Sequence, residues 1–192
     1  EREHEPEDPA HLAERAAAAF DAPLFAAGCS RFVVDANRSA HHPRVFSVYT
    51  TDLPRHARSR LMDTWWHPHR NAVEHAITTA IDAGRRVVHV AVHSFTPVLD
   101  GVVRPLEIGL LYDPSRRAER DVVTRWQRAL RDVRTDWRVR RNAPYRGVSD
   151  GFPTALRRRF ADPSYAGIEL ELNQDRGHPE RPARLARVLR HL

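Results

Sequence analysis

The run of residues from 86 to 97 (RVVHVAVHSFTP) most strongly constrains how this chain can fold. Its β-branched core is typical of a buried strand rather than a helix. Two histidines interrupt the strand, and because side chains alternate across a strand, His89 and His93 project from the same face. His93 lies where the strand ends and a loop with hydroxyl side chains begins. The run therefore predicts a buried strand with an imidazole at its carboxyl end.

A histidine at the end of a strand has two interpretations. In an open α/β sheet, ligands and metals are held just beyond the carboxyl ends of strands, and a neutral imidazole at that edge suits a zinc ion. Imidazole is also commonly buried and hydrogen-bonded as an ordinary core residue. From this run alone, both interpretations of His93 stay open.

Helices and strands alternate along the 192 residues. Sequence patterns predict helices over 9–20, 54–66, 68–83, 116–133, 150–160 and 182–192, and strands over 23–27, 32–34, 87–92, 107–112, 137–139 and 166–172. Such alternation predicts an α/β sandwich with a largely parallel or mixed sheet. The length suits one domain, spanning residues 1–192, with a proper hydrophobic core.

Composition argues against several classes of protein. No apolar run approaches the roughly 18–20 residues of a membrane span, and a single cysteine, Cys29, excludes an internal disulfide framework and favours a reducing cytoplasm. The net charge is +6, but all 31 basic residues are arginine and acidic residues are interleaved with them, as at 116–121. Mixed charge of this kind is typical of a solvated helix face. Binding to nucleic acid or to a membrane is therefore not expected.

Polar residues follow a short apolar segment at 30–38 (SRFVVDANR). The guanidinium of Arg38 can bind a carboxylate through two parallel hydrogen bonds, and the amide of Asn37 adds a neutral donor. The same residues also suit a turn with a surface ion pair. From this segment alone, two interpretations stay equally open: a carboxylate-binding pair and a simple turn.

Acidic and aliphatic residues alternate at 167–174 (GIELELNQ), which places Glu169 and Glu171 on one face of a strand. The strand is either an ordinary edge with a wet face or the carrier of a carboxylate that acts as general base on a metal-bound water. A third polar segment, 140–147 (RRNAPYRG), suits either a small-anion site or a connecting loop.

Another histidine pair, His67 and His69, has the His-x-His spacing found at metal sites of barrel-type amidohydrolases. Such barrels need about 200–250 residues and eight strand–helix units. The intervening Pro68 fits the start of a helix better. We therefore expect both histidines to be structural.

Five segments, in order, resemble the N-formylglutamate amidohydrolase family, zinc-dependent hydrolases whose fold is similar to that of the zinc carboxypeptidases and aspartoacylase. They are 30–38, 92–97, 107–113, 141–147 and 167–174, and the resemblance extends over about residues 4–174. It implies a three-layer α/β sandwich with a mixed, mostly parallel sheet of the zinc-carboxypeptidase type. It further implies hydrolysis of an N-formyl or other N-acyl amino acid, most simply N-formyl-L-glutamate to formate and glutamate, in histidine degradation.

The resemblance also implies roles for individual residues around zinc and the scissile bond. His93 resembles the last zinc ligand, and His4 is the candidate for a second. Glu169 resembles the general base on the terminal strand. Arg31 lies near the position of an arginine that polarises the scissile carbonyl.

Four further residues are implied to contact the substrate, a small molecule with a free carboxylate. Asn37 and Arg38 resemble the pair that holds this carboxylate in aspartoacylase-like enzymes. Arg104 and Tyr145 are further candidates for substrate contacts.

The zinc ligands named so far are fewer than a catalytic site requires, since catalytic zinc has about three protein ligands. The family carries other ligands in an opening Glu-His segment, whereas Glu3 and His4 here match a later His-x-x-x-Asp element, His4 and Asp8, more closely. Since the chain begins at Glu1, we expect the opening segment to precede it. The alternative is a degenerate, metal-free member that binds a small molecule.

Overall fold

The computed structural model of the protein describes residues 9–133 and 136–174. The chain divides into two compact units. Residues 9–24, 88–133, 136–148 and 166–174 belong to the first, here called the sheet unit, and residues 25–87 and 149–165 form the second, here called the helical unit. The prediction of a single domain over residues 1–192 stays a prediction.

Four of the six strands that the described residues form belong to one mixed sheet. In chain order the strands are β1 (Val87–Phe95), β2 (Val98–Leu99), β3 (Val102–Val103), β4 (Ile108–Leu111), β5 (Val139–Arg141) and β6 (Tyr165–Asn173). The larger sheet has the order β1-β6-β4-β5, and β2 and β3 form a separate hairpin. β5 pairs parallel with β4, whereas β6 pairs antiparallel with it. The α/β class and the mixed sheet are therefore confirmed.

Among its described residues, the sheet unit contains two helices, α1 (Pro9–Phe20) and α4 (Arg117–Val133). The helical spacing of apolar residues in α4 predicts one buried stripe. The structure confirms it: Val122, Val123, Trp126 and Leu130 are buried. They form one core cluster with Ala16 of α1 and with apolar side chains of β4, β5 and β6.

β6 lies between β1 and β4, and all but the last of its nine residues are buried. The interpretation of this strand as an edge with a wet face is therefore wrong. Glu169 and Glu171 are only 7% and 6% exposed, although they alternate with aliphatic side chains as predicted. A carboxylate held in such a place needs a partner or a chemical role, because an isolated buried charge is costly.

The predicted burial of β1 is only partly correct. Its residues are half-buried apart from an exposed Val88 and a buried Phe95. Within the described sheet β1 is an end strand, so one of its long sides lacks a neighbouring strand there.

Two other predicted strands, 23–27 and 32–34, are loops instead. For 32–34, hydrogen bonds explain the error. The N–H of Val33 donates to Ser30 O, which closes a local turn, and that of Asp35 donates to Val45 O, which closes a longer loop; neither bond belongs to a strand ladder. The predicted helix over 182–192 lies outside the described residues.

The helical unit contains α2 (Arg55–Leu61), a π-helical turn (Met62–Trp66), α3 (His67–Asp82) and α5 (Phe152–Arg159). The sequence predicts two helices divided near residue 67, but the π turn joins them into one continuous run. The N–H of His67 donates to Met62 O, five residues back, in the turn that precedes Pro68. Proline donates no hydrogen bond and crowds the carbonyl four residues before it, and a wider turn accommodates both effects.

A second core cluster lies within the helical unit and consists of Val73, Ile77, Phe152, Leu156, Phe160 and Tyr165. The run of helices ends at Gly84, whose φ of +75° suits a residue without a Cβ atom, as predicted. None of the helices in the described ranges has both the length and the apolar character that a membrane crossing requires.

Replacement of Leu130 by alanine tests the core of the sheet unit. Leu130 is fully buried, so Leu130→Ala should lower the free energy of unfolding by about 2–5 kcal/mol through lost burial and a residual cavity. Leu99→Ala is the matched control, because Leu99 is 44% exposed and its truncation should change stability by less than about 0.5 kcal/mol. Denaturant unfolding measures both, and equal losses would contradict this assignment of the core.

Candidate active site

His93 and Glu169, on neighbouring strands of the sheet unit, lie side by side. The Nε2 atom of His93 is 3.8 Å from the Oε2 atom of Glu169. The glutamate side chain is 9% exposed and the imidazole 31% exposed, so solvent reaches the pair from the histidine side. The structure thus brings together the two residues predicted to bind metal and to transfer a proton.

A buried glutamate of α4, Glu119, is hydrogen-bonded to the start of the strand that carries Glu169. Its carboxylate accepts hydrogen bonds from the N–H of Gly167 in β6 (3.1 Å) and from the N–H of Asp113 after β4 (2.7 Å). The guanidinium of Arg116 lies 3.3 Å from the same carboxylate. The prediction of a solvated face at 116–121 is therefore wrong for Glu119, which is fully buried because these three groups compensate its charge.

Arg104 and Tyr145, the predicted substrate contacts, also meet in the sheet unit. A guanidinium N–H of Arg104 donates to the Tyr145 hydroxyl at 3.0 Å. The guanidinium carbon lies 5.2 Å from the centre of the Tyr145 ring and 5.9 Å from that of Phe95. Because Tyr145 is 43% exposed, the pair can present a cation and a hydroxyl to an anion from solvent.

The loop that carries Tyr145 is held by Asn142, a residue that sequence reasoning did not single out. Its φ is +49°, a left-handed conformation that asparagine tolerates better than most residues. Its Oδ1 atom accepts hydrogen bonds from the N–H groups of Tyr112 and Gly147, both at 3.0 Å. An asparagine two residues before a Pro-Tyr-Arg-Gly run was the available signal, since a short amide side chain often closes a turn.

Asn37 and Arg38 lie in a tight turn of the helical unit. The N–H of Asn37 donates to the carboxylate of Asp35 (3.0 Å), and that of Arg38 to the main-chain oxygen of Asp35 (3.1 Å). The Oδ1 atom of Asn37 accepts the N–H of Phe152 (2.8 Å), which fixes the plane of its amide. A guanidinium N–H of Arg38 donates to Asp150 O (2.9 Å). Both side chains are thus held in defined directions.

Arg31 is more loosely attached in the same unit. Its side chain is 68% exposed, and its Nη2 atom lies 3.4 Å from the Oδ2 atom of Asp35. The Nε atom of Arg38 lies 3.9 Å from the same oxygen. The carboxylate of Asp35 therefore lies beside both arginines, and Arg31 retains freedom to move because solvent surrounds most of it.

Asp150 carries a second carboxylate against this turn. Partial burial raises the pKa of its side chain, but hydrogen bonds from Ser39 and the charges of His42 and Arg38 outweigh that effect. The pKa of Asp150 therefore lies below its ordinary value of 3.8. The N–H of Ser39 donates to Oδ2 at 3.0 Å, so the ionised form of Asp150 binds the turn directly.

His67 and His69 pack against aromatic side chains of the helical unit. The ring of His67 lies edge-on to Trp66 with centres 4.8 Å apart, and that of His69 lies 6.2 Å from Phe152. Burial, followed by the charge of Arg70, lowers the pKa of His69. These contacts agree with the predicted structural role of both histidines.

No group of three or more His, Cys, Asp or Glu side chains able to hold a metal ion is formed within residues 9–133 and 136–174. His93 and Glu169 offer two such groups, fewer than the about three protein ligands of a catalytic zinc. His4, the other candidate ligand, lies outside the described residues. The described residues by themselves therefore do not complete a zinc site.

A buried carboxylate beside an imidazole on a mixed α/β sheet can serve in proton transfer, and the comparison with known families identifies the chain as an amidohydrolase. The sequence model of the N-formylglutamate amidohydrolase family (FGase) matches residues 2–176. The chain belongs to the N-formylglutamate amidohydrolase family.

Solved structures show the same fold. The chain is similar to gene product Atu2144 from Agrobacterium tumefaciens, with a TM-score of 0.75 and 26% identity over 100% of this chain and 77% of that chain. It is also similar to the N-formylglutamate amidohydrolase from Ralstonia eutropha JMP134, with a TM-score of 0.64 and 18% identity over 97% of this chain and 79% of that chain. A search of curated proteins gave no significant match.

The lowered pKa of Asp150 predicts how the turn responds to pH. A carboxyl whose pKa is lowered by folding contributes stability above its unfolded-state pKa and loses it as pH falls through the folded-state pKa. Asp150→Asn should therefore destabilise the protein at pH 7, and the difference from wild type should shrink as the pH falls below 3.8. Thermal unfolding at a series of pH values measures this difference. The exposed Asp52, changed to Asn, is the control, and a difference for Asp150 that does not vary with pH would contradict the assignment.

Proposed function

We propose that the protein hydrolyses the amide bond of an N-formyl or related N-acyl amino acid, most simply N-formyl-L-glutamate to formate and glutamate. The proposal depends on one observation above all: a mostly buried Glu169 lies 3.8 Å from His93 in a chain of this family. A carboxylate so placed can take a proton from an attacking water. Membership of the amidohydrolase family supports the type of reaction, and the Glu169–His93 pair is the proposed position of the reacting groups.

Glu169 acts in two steps of this proposal. Its carboxylate first accepts a proton from the water whose oxygen bonds to the formyl carbon. It then gives that proton to the amine nitrogen as the carbon–nitrogen bond breaks, so one water is consumed for each formate and amino acid formed. A positioned general acid or base contributes about 10²–10⁴-fold to the rate of such a reaction.

Cationic side chains are proposed to hold the anionic parts of the substrate. Asn37 and Arg38 bind a substrate carboxylate, supported by the hydrogen bonds that fix both side chains. Arg104 and Tyr145 make further substrate contacts, supported by their exposed hydroxyl–guanidinium pair. Arg31 stabilises the oxyanion that develops on the formyl carbonyl, since a guanidinium is a strong donor to developing negative charge.

We also propose that the reaction depends on zinc, with His93 as one ligand. Bound zinc supplies a Lewis acid and a water whose pKa is about 7. The further proposals that follow from the family are a three-layer, zinc-carboxypeptidase-like arrangement with a mostly parallel sheet, a role in histidine degradation, and a cytoplasmic location, which agrees with the free Cys29.

A second candidate function is a metal-free member of the family that binds an acyl amino acid without cleaving it. The observation that favours this alternative is that the described residues form no group of three metal-binding side chains. It shares the carboxylate-binding residues with the first proposal, so binding of N-formyl-L-glutamate does not distinguish the two. Release of formate distinguishes the two functions, because only the hydrolase produces it.

Replacement of Glu169 by glutamine tests the general base. The amide has nearly the same shape but cannot take up the proton, so Glu169→Gln should lower kcat for formate release by about 10²–10⁴-fold. Glu171→Gln is the matched control, because Glu171 is equally buried two residues further along the same strand. It should stay within about tenfold of wild type. Equal losses in both variants would contradict the role of Glu169.

Metal analysis tests the zinc ligand. Purified wild-type protein incubated with zinc should retain about one ion per chain after dialysis, and His93→Ala should retain much less, because a catalytic site has about three protein ligands and this change removes one. His89→Ala is the control on the same strand. Zinc retained equally by wild type and His93→Ala would exclude His93 as a ligand, and formate release by zinc-free protein would exclude the zinc requirement.

A further inference from the structure

Arg70, in the first turns of α3, is a buried arginine to which the proposed reaction gives no role. It is 7% exposed, and a guanidinium taken out of water is stable only where other groups compensate its charge. One of its N–H groups donates to the main-chain oxygen of Ala36 at 3.0 Å and lies 3.5 Å from that of Arg38. Arg70 is therefore bonded to the backbone on both sides of Asn37.

Two aromatic rings enclose the same guanidinium. Its central carbon lies 4.4 Å from the centre of the Trp66 ring and 3.9 Å from that of Phe152. A cation over the face of an aromatic ring is attracted by the electrons of the ring, and the attraction increases as water is excluded. Trp66 precedes Arg70 by four residues, so both side chains lie on one face of the helical run.

Both enclosing residues also bind the turn that carries the carboxylate-binding pair. The indole N–H of Trp66 donates to Arg38 O at 3.0 Å. The main-chain N–H of Phe152 donates to the Oδ1 atom of Asn37 at 2.8 Å. All three stacked residues, Trp66, Arg70 and Phe152, thus donate a hydrogen bond to the segment 36–38.

We propose that Arg70 is a positioning residue for substrate binding, which acts by fixing the backbone of Asn37 and Arg38 through the stack with Trp66 and Phe152. The proposal rests on the proposed function for the identity of the ligand, a substrate carboxylate. Arg70 itself is not proposed to contact the substrate, since its side chain is buried.

Only arginine meets all of these requirements at once. The guanidinium is planar, so it can stack on two rings while its N–H groups donate in its own plane. A lysine ammonium is a compact, strongly hydrated charge without that plane. Burial lowers the pKa of Arg70 to about 10, while Asp150 and Glu74 act in the opposite direction, so the group remains charged at neutral pH.

The first test separates positioning from plain stability. Arg70→Lys should raise KM for N-formyl-L-glutamate by about tenfold and leave kcat within about twofold, since substrate binding changes and the reacting groups do not. Arg58→Lys is the matched control: Arg58 stacks on Phe46 at 5.6 Å in the same unit. A merely structural Arg70 would lower the melting temperature without this change in KM.

A double-mutant cycle identifies what Arg70 positions. Arg38→Ala should raise KM, and Arg70→Lys added to Arg38→Ala should raise it by less than about twofold more, because both changes affect one contact. Independent, multiplying effects would overturn the proposal.

Trp66→Phe is a milder variant that keeps a ring but loses the indole hydrogen bond to Arg38, and it should raise KM about threefold.

Amide hydrogen exchange tests the same inference without relying on activity. In Arg70→Lys the N–H groups of Asn37 and Arg38 should exchange at least about tenfold faster than in wild type, and in Arg58→Lys they should not. Unchanged exchange would overturn the positioning role, whatever the activity. If wild type released no formate while exchange changed as expected, the proposed function would fail and the positioning of the turn would stand.

Discussion

The burial of carboxylates on a central strand is the constraint on which this structure depends. β6 lies between two other strands, yet it carries Glu169 and Glu171 among aliphatic residues. An apolar residue at either position would remove the penalty of burying a charge. The strand therefore pairs a stable core on its aliphatic side with a carboxylate beside His93 on the other. Glu119 extends the same pattern, because its buried charge joins the beginning of β6 to the end of β4.

In the helical unit, arginine side chains are fixed by specific contacts in a similar way. Arg38 and Arg70 are both directed by main-chain oxygens, and Arg70 is further enclosed by two aromatic rings. The chain has no lysine, so its positive charges all carry a planar group that can stack and donate two hydrogen bonds together. A basic net charge thus serves internal positioning as well as the surface. In the proposed function, it also serves recognition of a substrate carboxylate.

Helices and strands of this fold could be predicted from the sequence where a pattern of apolar and polar residues repeats over many positions. The stripe of α4 and the strand of β6 were correct because the helical and alternating spacings of side chains follow from local backbone geometry. The wet face of β6 and the solvated Glu119 were wrong, since only tertiary neighbours show which side of an alternating strand or charged helix is covered. The 3.8 Å approach of His93 to Glu169 joins residues 76 positions apart, so no local pattern contains it. Arg70 was missed because its stack needs three elements of the fold.

In the proposed reaction, this amidohydrolase consumes one water for each formate that it releases from an N-formyl amino acid. The most direct measurement incubates purified protein, with zinc supplied, with N-formyl-L-glutamate in water enriched in oxygen-18, and analyses both products by mass spectrometry. We expect equal amounts of formate and glutamate, with one labelled oxygen in each formate and none added to glutamate. Binding of the substrate without formate above the protein-free blank would contradict it.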